Sequence, residues 1–202
     1  MKTLIIAILF FSSQNLFSQT ADEYWQLGIA KYRLKDYKGA IADYDKAIAI
    51  NPQHTLAYNS RAQTKLELKD YKGAIVDYTK LIEIVPQKNA YEYFCSRGLA
   101  KYNLGDTKDA IVDYNKAIEI NPQYANAYYN RGHIKQLKRD FTGALADYNK
   151  AIVIDPQDAL AYYSRAYTKA SLGDFTAACL DWNKAAELGY SQAYENIKES
   201  CK

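Results

Sequence analysis

Five copies of one 17-residue pattern organise this chain. The first copy is DYKGAIADYDKAIAINP at residues 36–52, and the last, from residue 174, is a degraded form of it. The leading aspartate recurs at steps of 34, 36, 34 and 34 residues, at Asp36, Asp70, Asp106, Asp140 and Asp174. A fixed period of this length is typical of proteins built from stacked repeats, which do not fold around one central core.

Each copy is predicted to be the second of two helices. Apolar residues spaced by three and four share one helix face, and in the first copy these are Tyr37, Ala40, Ile41, Tyr44, Ala47 and Ile48. Asp36 is the expected N-cap, and Pro52 disfavours helical backbone at the residue before it. A similar apolar stripe precedes each copy. Because neither helix can bury its stripe alone, successive pairs must stack.

Small residues recur at one position of the first helices. Glycine inside a helix costs up to about 1 kcal/mol relative to alanine. Three glycines at one repeat position therefore indicate that helix backbones are packed against each other there. The five residues at this position are Gly28, Ala62, Gly98, Gly132 and Ala166.

The period and its landmark residues resemble the tetratricopeptide repeat. The landmarks in the first copy are Tyr24, Leu27, Gly28, Ala40, Tyr44 and Pro52. The chain departs from the family pattern in three series. Tyrosine or phenylalanine replaces the tryptophan at Tyr24, Tyr58, Phe94, Tyr128 and Tyr162. Lysine replaces the first tyrosine at Lys31, Lys65, Lys101, Lys135 and Lys169. Arginine replaces the leucine in all but the first copy, at Arg61, Arg97, Arg131 and Arg165.

The resemblance implies an all-α fold, a right-handed α-solenoid of stacked helix-turn-helix repeats. We expect five repeats within residues 21–192, at 21–54, 55–88, 89–124, 125–158 and 159–192. Residues 193–202 then form a C-terminal capping helix. Its polar residues are expected to face solvent while Tyr194 and Ile197 pack inward.

Residues 1–18 read as a secretory signal peptide. Lys2 precedes an apolar run at residues 4–11, and a polar segment follows it. This order of a charged start, a short apolar core and a polar tail is typical of such signals, and the run is too short for a membrane span of about 20 residues. We expect cleavage after Ser18 and a periplasmic or secreted protein with no membrane span.

Charge and side-chain chemistry exclude several classes of function. The formal charge is +3 with both signs interspersed, which argues against a nucleic-acid partner. His54 and His133 lie in different repeats without a cysteine or histidine at ligand spacing, so no metal site is expected. No catalytic grouping and no phosphate-binding glycine loop can be assembled. We therefore predict no cofactor and no enzyme activity.

The arginine series has a functional and a structural interpretation. It could form a ladder for an acidic partner, or each arginine could pair with an aspartate of the second helices. We favour the structural pairing, since arginine stands where the family has a core leucine. The sequence leaves open whether each arginine meets the aspartate of its own repeat or of the preceding one. The candidate aspartates are Asp43, Asp77, Asp113, Asp147 and Asp181.

The three cysteines separate into a candidate pair and a single residue. Cys179 lies on the last second helix, and Cys201 on the capping helix expected to dock against it. An exported protein can form a disulfide there, so a Cys179–Cys201 bridge and two buried thiols remain as alternatives. Cys95 is expected to be a small apolar filler.

By resemblance, the first helices line a concave groove that binds a peptide or a partner helix. The residues expected to face it are Trp25, Ile29, Asn59, Gln63, Leu99, Tyr129, His133, Tyr163 and Tyr167. Aromatic and amide groups are suitable anchors for such partners. The predicted function is a protein-interaction scaffold. The alternatives are a carrier of a glycan or small ligand in the tyrosine-rich groove, and a structural protein that self-associates through stacking of its repeats.

Overall fold

A computed structural model describes residues 19–201, which form eleven α-helices and no strand. The helices follow one another as α1 (Ala21–Arg33), α2 (Tyr37–Ile50), α3 (Thr55–Glu67), α4 (Tyr71–Ile84), α5 (Tyr91–Leu104), α6 (Thr107–Ile120), α7 (Ala125–Leu137), α8 (Phe141–Ile154), α9 (Ala159–Ser171), α10 (Phe175–Glu187) and α11 (Ala193–Ser200). Odd-numbered α1–α9 are the first helices of the five pairs, and α2–α10 are the second helices. Each first helix contacts its own second helix, and α3, α5, α7 and α9 also contact the second helix before them. The predicted all-α solenoid is confirmed.

The recurring aspartate begins the second helices. The Asp36 carboxylate accepts from the amide of Gly39 at 3.0 Å, and Asp140 caps α8 in the same way through Gly143. Such a cap satisfies an amide that has no partner within the helix. At the other end α2 stops at Ile50, two residues before Pro52. The local signals read from the sequence therefore set these helix ends.

Aromatic rings and small residues form a core shared between neighbouring helices. Buried rings recur on the second helices, at Tyr44, Tyr78, Tyr114, Tyr148 and Trp182. Gly132 lies beside one of them, since a Cβ built on it would be 3.1 Å from Cε1 of Tyr148 and 3.1 Å from Cβ of Asp147. The first and second helices of a repeat are therefore in close contact where the sequence places its small residues.

The two extra residues between the second and third copies form a short turn. A 3-10 turn occupies Gln87–Asn89, and Ala90 behind it is buried. Leu81 is fully buried where the four other copies have alanine. The insertion thus adds a local turn before α5 without interrupting the series of helices.

Helix α11 closes the described stack. A disulfide joins Cys179 of α10 to Cys201, with Cα atoms 5.6 Å apart. Ala193 is buried and Ile197 packs on the same cluster, but Tyr194 is 61% exposed. The expectation that Tyr194 packs inward was wrong, because α11 turns Ala193 and Ile197 toward α9 and α10 and leaves Tyr194 on the outer face.

No helix within residues 19–201 is long and apolar enough to cross a membrane. The predicted signal peptide at residues 1–18 lies outside the described residues.

Candidate functional site

The first helices form the inner side of the curved stack. They touch each other across the repeats, α1 with α3, α5 with α7 and α7 with α9. Neighbouring helices on the inside of a bend lie closer than those on its outside. The surface between the first helices is therefore the concave face, called the groove below.

Hydrogen bonds along the floor of the groove connect consecutive first helices, and also α9 to α11. Trp25 Nε1 donates to Ser60 Oγ at 3.0 Å, which joins α1 to α3. Further along the stack, the Tyr129 hydroxyl lies 3.4 Å from Ser164 Oγ, and the Tyr163 hydroxyl donates to Asn196 at 3.2 Å. Several polar groups of the groove are thus used to hold the stack together.

His133 lies in an aromatic cluster at the middle of the groove. Its Nε2 is 3.3 Å from the Tyr102 hydroxyl, and its ring is stacked with that of Tyr129, with planes 7° apart. Burial lowers the pKa of His133 below its ordinary value. The imidazole is therefore neutral at pH 7 and adds no positive charge to the groove.

The nine predicted groove residues fall into three groups. Trp25, Tyr129, His133 and Tyr163 are half-buried and take part in contacts between first helices. The remaining half-buried residues are Ile29 and Asn59, and the exposed ones are Gln63, Leu99 and Tyr167. Leu99 and Tyr129 line one pocket, His133 packs on Tyr129 beside it, and the other six residues are spread along the groove.

This groove pocket lies between α5, α7 and the start of α9, and it has a volume of about 600 Å³. Its aromatic walls are Tyr124, Tyr129 and Tyr190, and the last of these rings packs 4.7 Å from the ring of Tyr163. The polar residues around it are Ser96, Asn126, Asn130, Asp155, Gln157 and Asp158. It therefore combines flat aromatic surface with amide and carboxylate groups.

The pocket carries negative charge without a matching cation. Within residues 19–201, Asp155 and Asp158 are the charged residues that line it. Burial raises the pKa of the Tyr129 phenol, a hydrogen bond with Ser164 lowers it, and the charge of Asp158 raises it further. Burial raises the pKa of Cys95 to about 11, so this pocket residue stays a thiol at neutral pH.

Sequence reasoning missed the charged residues of the pocket and Tyr190 because it looked only at helix faces. Asp155 and Asp158 lie in the turn before α9, and Tyr190 lies in the turn before α11. A signal was nevertheless present in the residue just before the first helices. This residue differs from repeat to repeat, for example His54, Tyr124 and Asp158, whereas the landmark residues recur. Variation at a fixed repeat position indicates a surface residue that the packing of the repeats does not constrain.

Family models match along most of the described chain. Models described as tetratricopeptide repeat match residues 21–54, 56–88, 125–158 and 147–179, and one described as TPR repeat matches residues 98–138. The chain belongs to the tetratricopeptide repeat family. A search of the curated proteins finds no match.

Solved tetratricopeptide repeat structures resemble the chain over most of its length. MamA is 25% identical, covers 86% of this chain and 94% of its own, and superposes with a TM-score of 0.71. YrrB, described as having an unusual peptide-binding site, is 21% identical with coverages of 88% and 92% and a TM-score of 0.66. The type IV pilus biogenesis factor PilW is 23% identical with coverages of 87% and 78% and a TM-score of 0.70. The family and these structures support a protein-interaction scaffold in general.

The arginine series occupies the crossings between helices and does not line the groove pocket. Arg131 donates to Asp147 of its own repeat through Nε at 3.0 Å and Nη2 at 2.6 Å. Its Nη1 donates to Asn115 of the preceding repeat at 2.6 Å. The same arrangement recurs at Arg61, Arg97 and Arg165. The structural interpretation is therefore correct, and each arginine bridges two repeats.

Proposed function

We propose that this protein is an exported scaffold that binds an extended peptide or a partner helix in its groove. The observation that carries the proposal is the groove pocket, about 600 Å³ in volume, with partly buried aromatic walls and polar groups from two neighbouring repeats. Pockets of this size, with aromatic surface and a few polar groups, are common places for side chains of a partner to anchor.

The role we propose is non-catalytic. Tetratricopeptide repeat proteins are typically scaffolds, and within residues 19–201 no group of histidine, cysteine and acidic side chains is placed to hold a metal ion. The buried aspartates of the second helices are in ion pairs at helix crossings, as Asp113 is with Arg97 and Lys101. Their repetition in every repeat is explained by the stacking of helices.

Peptide selection tests the proposal without knowledge of the natural partner. The mature chain, immobilised, is used to select from a displayed library of random peptides, and the enriched peptides are then synthesised. We expect them to lose affinity for Leu99→Lys, a change in the groove pocket, and to keep it for Val112→Lys. Val112 is exposed on α6, outside the groove pocket, and serves as the matched control. Peptides that bind both variants equally would contradict the groove as the binding surface.

Export has its own test. Residues 1–18 have the sequence of a signal peptide, so the protein should be found outside the cytoplasm with Gln19 as its first residue. N-terminal sequencing of the protein from its source cells checks this. An uncleaved N-terminus in the cytoplasmic fraction would contradict it.

A further inference from the structure

We propose that the segment bound by the groove pocket is cationic, an extended peptide whose arginine or lysine side chain enters between Tyr129 and the carboxylates of Asp155 and Asp158. This inference rests on the proposed function and adds the chemical class of the partner. Two features of the pocket support it.

The first feature is charge. Asp155 Oδ1 accepts from the amide of Gln157 at 3.0 Å, and Asp158 Oδ1 accepts from Leu160 and Ala161 at 3.0 and 3.1 Å. Neither carboxylate is in a salt bridge with another residue of the described chain, and no lysine or arginine among residues 19–201 lines the pocket. Because Asp158 already accepts from the amides of Leu160 and Ala161, the start of α9 has two fewer free amides to offer an anion. The pocket therefore complements a cation.

The attraction is local to the pocket and does not come from the chain as a whole. The formal charge of the whole chain is +3, so an overall attraction would not draw a cationic peptide to this place.

The second feature is that the chain already binds arginine with the same set of groups. Arg131 lies over the ring of Tyr128 at 5.6 Å while it donates to Asp147 and Asn115. An aromatic face, a carboxylate and an amide oxygen therefore hold this guanidinium, and the first two recur around Arg61, Arg97 and Arg165. The groove pocket offers a tyrosine, a carboxylate and an asparagine with no arginine of its own. Arginine is suited to such a set because its planar fork stacks on rings and binds carboxylates.

The experiment measures fluorescence anisotropy of three labelled nonapeptides with the mature, disulfide-bonded chain. One alternates arginine with alanine, and the others replace arginine by citrulline, which keeps the shape without the charge, or by glutamate. We expect the arginine peptide to bind at least about tenfold more tightly than the other two, with an affinity that falls as salt is added.

The test variant carries both Asp155→Asn and Asp158→Asn, and the matched control carries Asp140→Asn. Asparagine keeps the local structure, since Asn51 and Asn121 accept from Gln53 and Gln123 at 3.0 Å in the corresponding turns, and asparagine caps helices as well as aspartate does. Asp140 caps α8 and does not line the groove pocket. The double variant should bind the arginine peptide about tenfold more weakly and the citrulline peptide equally, while the control should not change either.

The outcomes separate this inference from the proposed function. Equal binding of the arginine and citrulline peptides, or an unchanged affinity in the double variant, would overturn the cationic class. If the display selection nevertheless returned groove-dependent peptides that are neutral or acidic, the scaffold function would stand. If it returned no groove-dependent peptide, both proposals would be wrong.

Discussion

Arg131 joins two repeats by holding Asp147 with two nitrogens and Asn115 with the third. This explains why the series is absent from the first copy, where Leu27 stands instead. Within residues 19–201 no helix pair precedes α1, so this part of the chain supplies no side chain for a third nitrogen. Among the same residues Asp43 pairs with Lys31 and Lys46.

Removing Asp147 should destabilise the protein more than removing Arg131. Asp147→Ala leaves Arg131 and Lys135 facing each other without their shared carboxylate. We expect it to lower the free energy of unfolding by about 2–3 kcal/mol, since breaking a largely buried pair leaves uncompensated charge. Arg131→Leu reproduces the combination found at Leu27, Lys31 and Asp43, and Asp147 keeps its ion pair with Lys135, so this change should cost less than Asp147→Ala. Urea unfolding of both variants gives the comparison, and the opposite order would contradict it.

Gly132 tests the close contact of the first and second helices. A methyl group there would be 3.1 Å from Tyr148 and Asp147, so Gly132→Ala requires a shift of a few tenths of an ångström, as the alanines Ala62 and Ala166 already accommodate. Gly132→Leu adds three more carbons to the same place and should destabilise by roughly 1–3 kcal/mol. Thermal unfolding of the two variants measures the difference. A leucine variant as stable as the alanine variant would show that the helices are not closely packed.

The disulfide should stabilise the C-terminal end and leave the centre unchanged. Cys179 and Cys201 are 22 residues apart, and a loop of this length corresponds to about 3 kcal/mol in the chain-entropy description. Replacing both cysteines by serine should raise hydrogen exchange in α11 and leave the amides of α5 and α6 unaffected. The intact mass of the unreduced protein should show one disulfide and one free thiol, Cys95. Uniform loss of protection along the chain would contradict a local role.

Asp43 should make the first repeat sensitive to acid. Burial raises the pKa of its carboxyl, but the hydrogen bonds from Lys31 and Lys46 lower this pKa by more than burial raises it. The pKa of Asp43 is therefore below the ordinary 3.8. A lowered pKa in the folded state stabilises the protein at pH above the ordinary value, and the stabilisation is lost as the pH falls through the folded value. Asp43→Asn should therefore show a smaller loss of stability in urea below about pH 4 than the parent chain. Identical pH profiles would contradict this.

Much of the fold was predictable because its determinants are local and repeated. Asp36 as a cap, Pro52 as a stop and the spacing of Tyr44 and Ala47 each act within one helix or its ends, and the period shows that the helices must stack. The partner of each arginine was not predictable, because it depends on the rotation between neighbouring repeats. Tyr194 was placed on the wrong face for the same reason.

The groove was harder to predict than the core. Helix periodicity identified Leu99 and Tyr129, which line the pocket. It could not identify Asp158 or Tyr190, since turns have no periodicity and their side chains reach the groove only through the bend of the stack. Periodicity also cannot tell an aromatic residue that is free to bind from one, such as Trp25, that is engaged with the neighbouring helix.

The central claim is that neighbouring repeats bury each other's apolar surface by stacking. Removal of one whole repeat tests this claim most directly. Deleting residues 125–158 joins Tyr124 to Ala159, and Arg165 should then meet Asn115 in place of Asn149, its present partner. We expect the shortened chain to keep the same helical circular dichroism per residue and to unfold cooperatively in urea. A shortened chain that is unfolded, or that unfolds without cooperativity, would contradict the claim.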